Sequence, residues 1–209
     1  MGNKNIFLIG GGEIAKGETR EIDEAIMKSA PKGSSFVFFG TAAGDAEGYG
    51  DIMRKTFGDY FNVTIAAEAR GREFSENAIK NASIIYLGGG TTKFLMDHFE
   101  KWNLIPLLVE AIERGAVVVG MSAGAQALAA WYVHEDDESQ KIRKGWNITG
   151  ESIGVLVHAT DDSFKRAQKL ISGSEYANFK LYGIAEGAAL LINEKGSDFT
   201  RIGKGEIWT

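Results

Sequence analysis

The chain contains no cysteine. That removes disulfides, thiolate metal sites and every mechanism built on a cysteine nucleophile. It fits a reducing compartment, so a cytoplasmic location is expected. Histidine is scarce too, with three in 209 residues. They are scattered, with no HxH or HxxxH pair, so neither a metal centre nor another cofactor is expected. No apolar run approaches the roughly 18 residues of a membrane span. The opening MGNKNIFLIGGGE lacks the long apolar stretch and small-residue cleavage site of a secretory leader. Ile6 stands where a myristoylation pattern after Gly2 needs Ser or Thr. A strong positive charge is missing as well: the net charge is −5, which argues against nucleic acid as a partner. Neither a membrane nor a nucleic acid is therefore expected to bind. With no repeat, low-complexity tract or Pro/Ser-rich linker, residues 1–209 are expected to form a single α/β domain.

What is present is a series of short apolar runs that each end in glycine. NIFLI (Asn5–Ile9) runs into Gly10-Gly11-Gly12, SFVFF (Ser35–Phe39) into Gly40, SIIYL (Ser83–Leu87) into Gly88-Gly89-Gly90, and AVVV (Ala116–Val119) into Gly120. Runs of this length without alternation predict strands buried on both faces, as in a parallel sheet. Amphipathic patterns over Glu18–Ser29, Thr91–Glu100 and Ile105–Arg114 predict helices between them. Pro106 falls at a helix start and Gly115 at a helix end. The alternation predicts an α/β fold with a central, mostly parallel sheet and helices on both faces. In the last third, Asn147–Val157, Leu181–Asn193 and Phe199–Trp208 predict strands and hairpins, with a helix over Asp162–Ser172.

The segment GAVVVGMSAGAQALAAW (Gly115–Trp131) puts Ser122 in a G-x-S-x-G pattern between a buried run and an alanine-rich helix former. That is the strand–turn–helix setting of a nucleophile elbow. Glycines on either side let the turn close tightly around a strained serine. The following helix N-terminus offers N–H groups to a developing oxyanion. The plainer alternative is an N-cap serine. A base must come from His98, His134 or His158. His158 closes an apolar run, where open α/β sheets gather their sites, and is favoured on position, with His134 next. The orienting carboxylate has two candidates: Glu186, inside the apolar stretch GIAEGAA, and Asp137, in the acidic cluster Glu135–Glu138. An apolar setting would shield Glu186, and a shielded carboxylate needs a partner, so Glu186 is preferred.

The order of these blocks resembles the peptidase E and cyanophycinase family of serine peptidases. GGGE (Gly10–Glu13), FGTAAGD (Phe39–Asp45), YLGGGTTKFL (Tyr86–Leu95), GMSAGA (Gly120–Ala125), a histidine ending a later strand, and GIAEGAAL (Gly183–Leu190) carry the resemblance. It implies a three-layer sandwich like the class I glutamine amidotransferases (flavodoxin-like), with serine in place of cysteine. It also implies hydrolysis of an amide next to an acidic residue, as in Asp-X dipeptides or multi-arginyl-poly-aspartate. By position, Ser122 would be the nucleophile and His158 the base. The N–H groups of Ala123 and of Gly89 or Gly90 would receive the oxyanion, and Glu186 or Asp137 would be the third member. The partner expected is then a small acidic peptide, and a homodimer is compatible with the size. The sequence departs from the family at Thr91, where asparagine is common, and at His158-Ala159, where phenylalanine usually follows the histidine.

Two other readings fit parts of the chain. Gly10-x-Gly12-x-x-Ala15 matches a permissive dinucleotide fingerprint, though Gly40-Thr41 occupies the place of the acidic residue such a site needs. A noncatalytic binding protein could also keep the elbow.

Overall fold

The computed structural model describes residues 5–135, 139–150, 153–193 and 199–209. Its first half alternates strand and helix: β1 (Asn5–Ile9), α1 (Arg20–Lys28), β2 (Ser35–Phe39), α2 (Glu47–Phe57), β3 (Asn62–Ile65), α3 (Arg72–Asn81) and β4 (Ile84–Leu87). Two consecutive helices follow, α4 (Thr92–Lys101) and α5 (Ile105–Glu113), then β5 (Val117–Met121) and α6 (Ala123–Leu128). The remainder is β6 (Trp131–Glu135), β7 (Gln140–Lys144), β8 (Ile153–Val157), α7 (Asp161–Ser172), β9 (Lys180–Ile184), β10 (Ala188–Ile192), β11 (Phe199–Gly203) and β12 (Ile207–Trp208).

The strands form two sheets. The larger has the order β11-β10-β1-β5-β4-β2-β3. From β1 to β3 every neighbouring pair is parallel, whereas β10 runs antiparallel to β1 and β11 antiparallel to β10. The sheet is therefore mixed, with a parallel part where the sequence predicts one. Its inner strands β1, β2, β4 and β5 are apolar because both faces are covered. Alternate residues Ile6, Leu8, Val37, Phe39, Ile85, Leu87 and Val118 pack under α3, α4, α5 and α6. The intervening Phe7, Ile9, Phe36, Phe38, Ile84, Tyr86 and Val119 pack under α1 and α2.

The second sheet, β12-β9-β8-β6-β7, is not foreseen by the sequence pattern. One face, with Trp131, Val133, Leu156 and Leu181, is covered by Phe164, Ala167 and Ile171 of α7. The other, with Tyr132, Val155, Val157 and Ile184, joins the core beneath the larger sheet. Two predicted hairpins are corrected here. β9 and β10 are consecutive but lie in different sheets, and so do β11 and β12. The local pattern specifies extended chain and says nothing of which sheet receives it. Likewise, of the run Asn147–Val157 only Ile153–Val157 is strand; residues 147–150 are loop, with Asn147 at φ 57°.

Candidate active site

The carboxyl end of β5 enters α6 through Ser122, whose backbone stands at φ 50°, ψ −105°. Neither flanking glycine can be replaced without collision. A Cβ on Gly120 would lie 2.5 Å from the Gly124 carbonyl carbon, and one on Gly124 would lie 2.3 Å from the Leu87 carbonyl oxygen. The serine is thus forced out of the β region and its Oγ stands clear of the sheet.

Ser122 Oγ lies 2.7 Å from His158 Nε2, and His158 Nδ1 lies 2.5 Å from Glu186 Oε1. The three residues come from separate places in the fold. Ser122 follows β5 of the larger sheet and His158 follows β8 of the smaller one. Glu186 occupies the turn that carries the chain from β9 in one sheet to β10 in the other. A single stretch of backbone holds them in step. Ser122 N–H donates to Ile9 O (2.8 Å), His158 N–H to Gly10 O (3.1 Å), and Gly187 N–H to Gly11 O (3.1 Å). Successive carbonyls at the end of β1 therefore each fix one part of the site. Gly11 also leaves the space the pair needs: a Cβ there would sit 2.4 Å from Glu186 Oε2 and 2.5 Å from the His158 ring. His158 shares the positive φ of the serine, at 52°.

One expectation about Glu186 fails. Its side chain is 56% exposed and that of His158 49%, so the carboxylate is not shielded. Ile184, Ala188 and Ala189 do go into the core, but the turn between them sits at the rim where the chain changes sheets. The carboxylate is held by its backbone anchor and its histidine. Asp137, the alternative carboxylate, lies outside the described residues.

The remaining predicted residues divide clearly. Gly89 packs against Ser122, but its N–H is already bonded to Tyr49 Oη at 3.2 Å. Gly90 N–H has no partner among the described residues, and Ala123, first residue of α6, has no helical acceptor behind it. Those two N–H groups are the ones left to receive an anion. His134 lines the groove beside Ser122. His98 is buried in α4 against Trp102, ring centroids 4.1 Å apart, with neither ring nitrogen bonded among the described residues and its pKa pushed down by burial.

The Gly10–Gly12 run is used for the histidine and carboxylate, and the chain beyond it enters a single 3-10 turn at Ile14–Lys16. The dinucleotide fingerprint therefore lacks the helix N-terminus that would take a pyrophosphate. Among the described residues no group of three or more His, Asp or Glu side chains could hold a metal, and no helix is long and apolar enough to cross a membrane. Tyr49, Gln126 and Arg143 also line the site; the sequence singles out neither Tyr49 nor Gln126.

The profile of peptidase family S51 matches residues 6–200. The chain belongs to peptidase family S51. It is similar to the uncharacterized peptidase YgaJ of Bacillus subtilis, 29% identical over 130 residues, or 58% of this chain and 55% of that protein. To a peptidase E of Shewanella sp. (strain W3-18-1) it is 43% identical over 53 residues, 25% of this chain and 22% of that one. The chain thus spans about half, and about a fifth, of the length of these two relatives. The crystal structure of a peptidase from an acI-B1 actinobacterium has the same fold, with a TM-score of 0.70 at 20% identity over 100% of this chain and 97% of that one.

Proposed function

We propose that the protein is a serine peptidase acting through Ser122, His158 and Glu186 on a short peptide with an acidic residue on the acyl side. The observation that carries the reading is the continuous hydrogen-bonded line from Ser122 Oγ through the imidazole to Glu186, built on a strained elbow. His158 Nε2 takes the hydroxyl proton as Oγ bonds to the scissile carbonyl carbon. The carbonyl oxygen becomes an oxyanion facing the N–H groups of Ala123 and Gly90. His158 then gives its proton to the leaving amine as the C–N bond breaks, leaving an acyl ester on Ser122. Water, deprotonated by the same nitrogen, hydrolyses the ester. Glu186 fixes the tautomer that carries its proton on Nδ1 and favours the transient imidazolium.

Membership of the S51 family supports the reaction class. The acidic preference and the glutamine amidotransferase-like layering rest on the resemblance of the sequence blocks, and the cytoplasmic setting on the lack of cysteine. The test is a screen of dipeptides with each N-terminal residue, run on wild type, Ser122→Ala and Glu186→Gln. Ser122→Ala is expected to lose several orders of magnitude in kcat while folding normally, roughly 10⁴-fold or more. Glu186→Gln should lose a smaller but large factor. Wild-type turnover by Ser122→Ala would refute the nucleophile. Cleavage of Ala-X and Gly-X but not Asp-X dipeptides would refute the acidic preference alone.

A further inference from the structure

Ser122 lies between two hollows of similar size and opposite charge. One, of about 600 Å³, is lined by Glu13, Glu18 and Glu186 together with Tyr49, and by no lysine or arginine. The other, of about 630 Å³, runs between the start of α4, the side of α6 and the β6–β7 hairpin, and includes Lys93, His134, Glu135 and Arg143. Two of its charged groups are already engaged. Lys93 is paired with Asp97 one turn along α4 at 2.5 Å. Glu135 is bonded by Arg166, which also holds Asp162 and does not line the hollow. Arg143 has no ion pair among the described residues. It faces Tyr132 across the β6–β7 ladder. Its charge reaches the Tyr132 hydroxyl, opposing the rise that burial imposes there.

The inner wall of this second hollow is polar although buried. Thr92 and Gln126 are each 6% exposed and both line it. The Thr92 hydroxyl donates to Gln126 Oε1, which leaves the Gln126 amide N–H groups without an acceptor among the described residues, on a side chain that lines the hollow. Arg143 lines the same hollow, and the planar fork of a guanidinium matches a carboxylate.

We infer that Arg143 and Gln126 form a carboxylate-binding subsite for the substrate, with Arg143 as the specificity-determining residue. The inference deepens, and rests on, the peptidase reading of the same site. In the opposite hollow Glu13 is paired with Lys16, but a substrate anion would still meet Glu18 and Glu186, so the local charge favours the Arg143 side. The carboxylate has two chemical sources: an acidic side chain, or the free C-terminus of a short peptide.

Calorimetric binding to the Ser122→Ala protein, with and without Arg143→Gln, separates them. The probes are Asp-Leu, Asn-Leu and Asp-Leu amide. Removing the carboxylate that Arg143 reads should weaken binding by about 10–100-fold, as expected for a charge-assisted hydrogen bond. Arg143→Gln should abolish that difference, and Arg143→Lys should keep part of it. A loss confined to Asn-Leu assigns the side chain; a loss confined to the amide assigns the C-terminus. Equal affinities with and without Arg143, the same loss for all three probes, or no binding of any probe would overturn the subsite. Melting temperatures of the Gln and Lys variants guard against a folding artefact. Turnover by the wild type is scored separately. If no dipeptide is cleaved but the Arg143-dependent discrimination persists, the peptidase reading falls and the subsite stands.

Discussion

Ser122 and His158 are both non-glycine residues at positive φ, a conformation that costs of order 1–3 kcal/mol at each. Bonds to the end of β1 hold both residues there, from Ser122 N–H to Ile9 O and from His158 N–H to Gly10 O. Gly11 is the residue whose missing side chain leaves room for the imidazole and the carboxylate. An alanine there would bring its Cβ within 2.5 Å of both the His158 ring and Glu186. Gly11→Ala is expected to displace the imidazole and cut kcat about 100-fold or more, because an ångström of misplacement is that costly. Steady-state kinetics beside a thermal melt check this; a folded variant with unchanged kcat would contradict it. Ser122, His158 and Glu186 were legible in the sequence because glycines and strand ends mark where a backbone must bend around them. Tyr49 and Gln126 were not, because their partners come from distant elements and no local pattern encodes them. The exposure of Glu186 was misjudged for a related reason: apolar neighbours along the chain do not shield a side chain that sits on a turn between sheets.

At the scale of elements, β1, β2, β4 and β5 were readable because burial on both faces leaves an unbroken apolar run. β3 (NVTI) lies at the sheet edge and is only partly buried, and β7 (QKIRK) is largely exposed, so neither carries that signal. α2 holds Gly48 and Gly50, which weaken its helical pattern; Ile65 packs over Gly50, 3.4 Å from where a Cβ would stand. The helix after the candidate base is the opposite case. α7 opens with a full capping box, the Thr160 hydroxyl accepting from Ser163 N–H at 3.1 Å and Ser163 Oγ accepting from Thr160 N–H at 2.9 Å. Thr160→Ala should cost about 1 kcal/mol, or a fall in Tm of about 2–4 °C for a chain of this size. Turnover should stay close to wild type, since His158 is anchored through Gly10 rather than through α7. A thermal melt and a kcat measurement test both halves of that statement.

Stability of the whole molecule carries a pH signature centred on Asp23. The side chain is 5% exposed, takes one hydrogen bond from Thr19 Oγ1 at 2.8 Å, and leaves Oδ1 without a partner among the described residues. Burial raises its pKa from 3.8 to about 6. Below pH 3.8 the group is protonated in folded and unfolded chains alike and costs nothing extra. Between there and about pH 6 the folded state holds the proton more tightly, so its contribution to stability falls as pH rises. Above pH 6 the full penalty of a buried carboxylate is present. Asp23→Asn should therefore raise stability at pH 7–8 by about 2–3 kcal/mol, with the gain shrinking to nothing near pH 3.5. Denaturant melts of both proteins across that range give the curve; a gain independent of pH would remove Asp23 as its source.

The three carbonyls of residues 9–11 work as a ruler with one-residue graduations. Each mark sets the height of a different part of the site, and the parts arrive from two sheets and from the turn that joins them. Lengthening or shortening most surface loops would leave such a ruler untouched. Inserting or deleting one glycine in Gly10–Gly12 would shift the marks against one another, so that serine, histidine and glutamate lost their common phase at once. The site's register is thus written in the spacing of the first strand's exit, in a stretch that supplies none of its reactive groups.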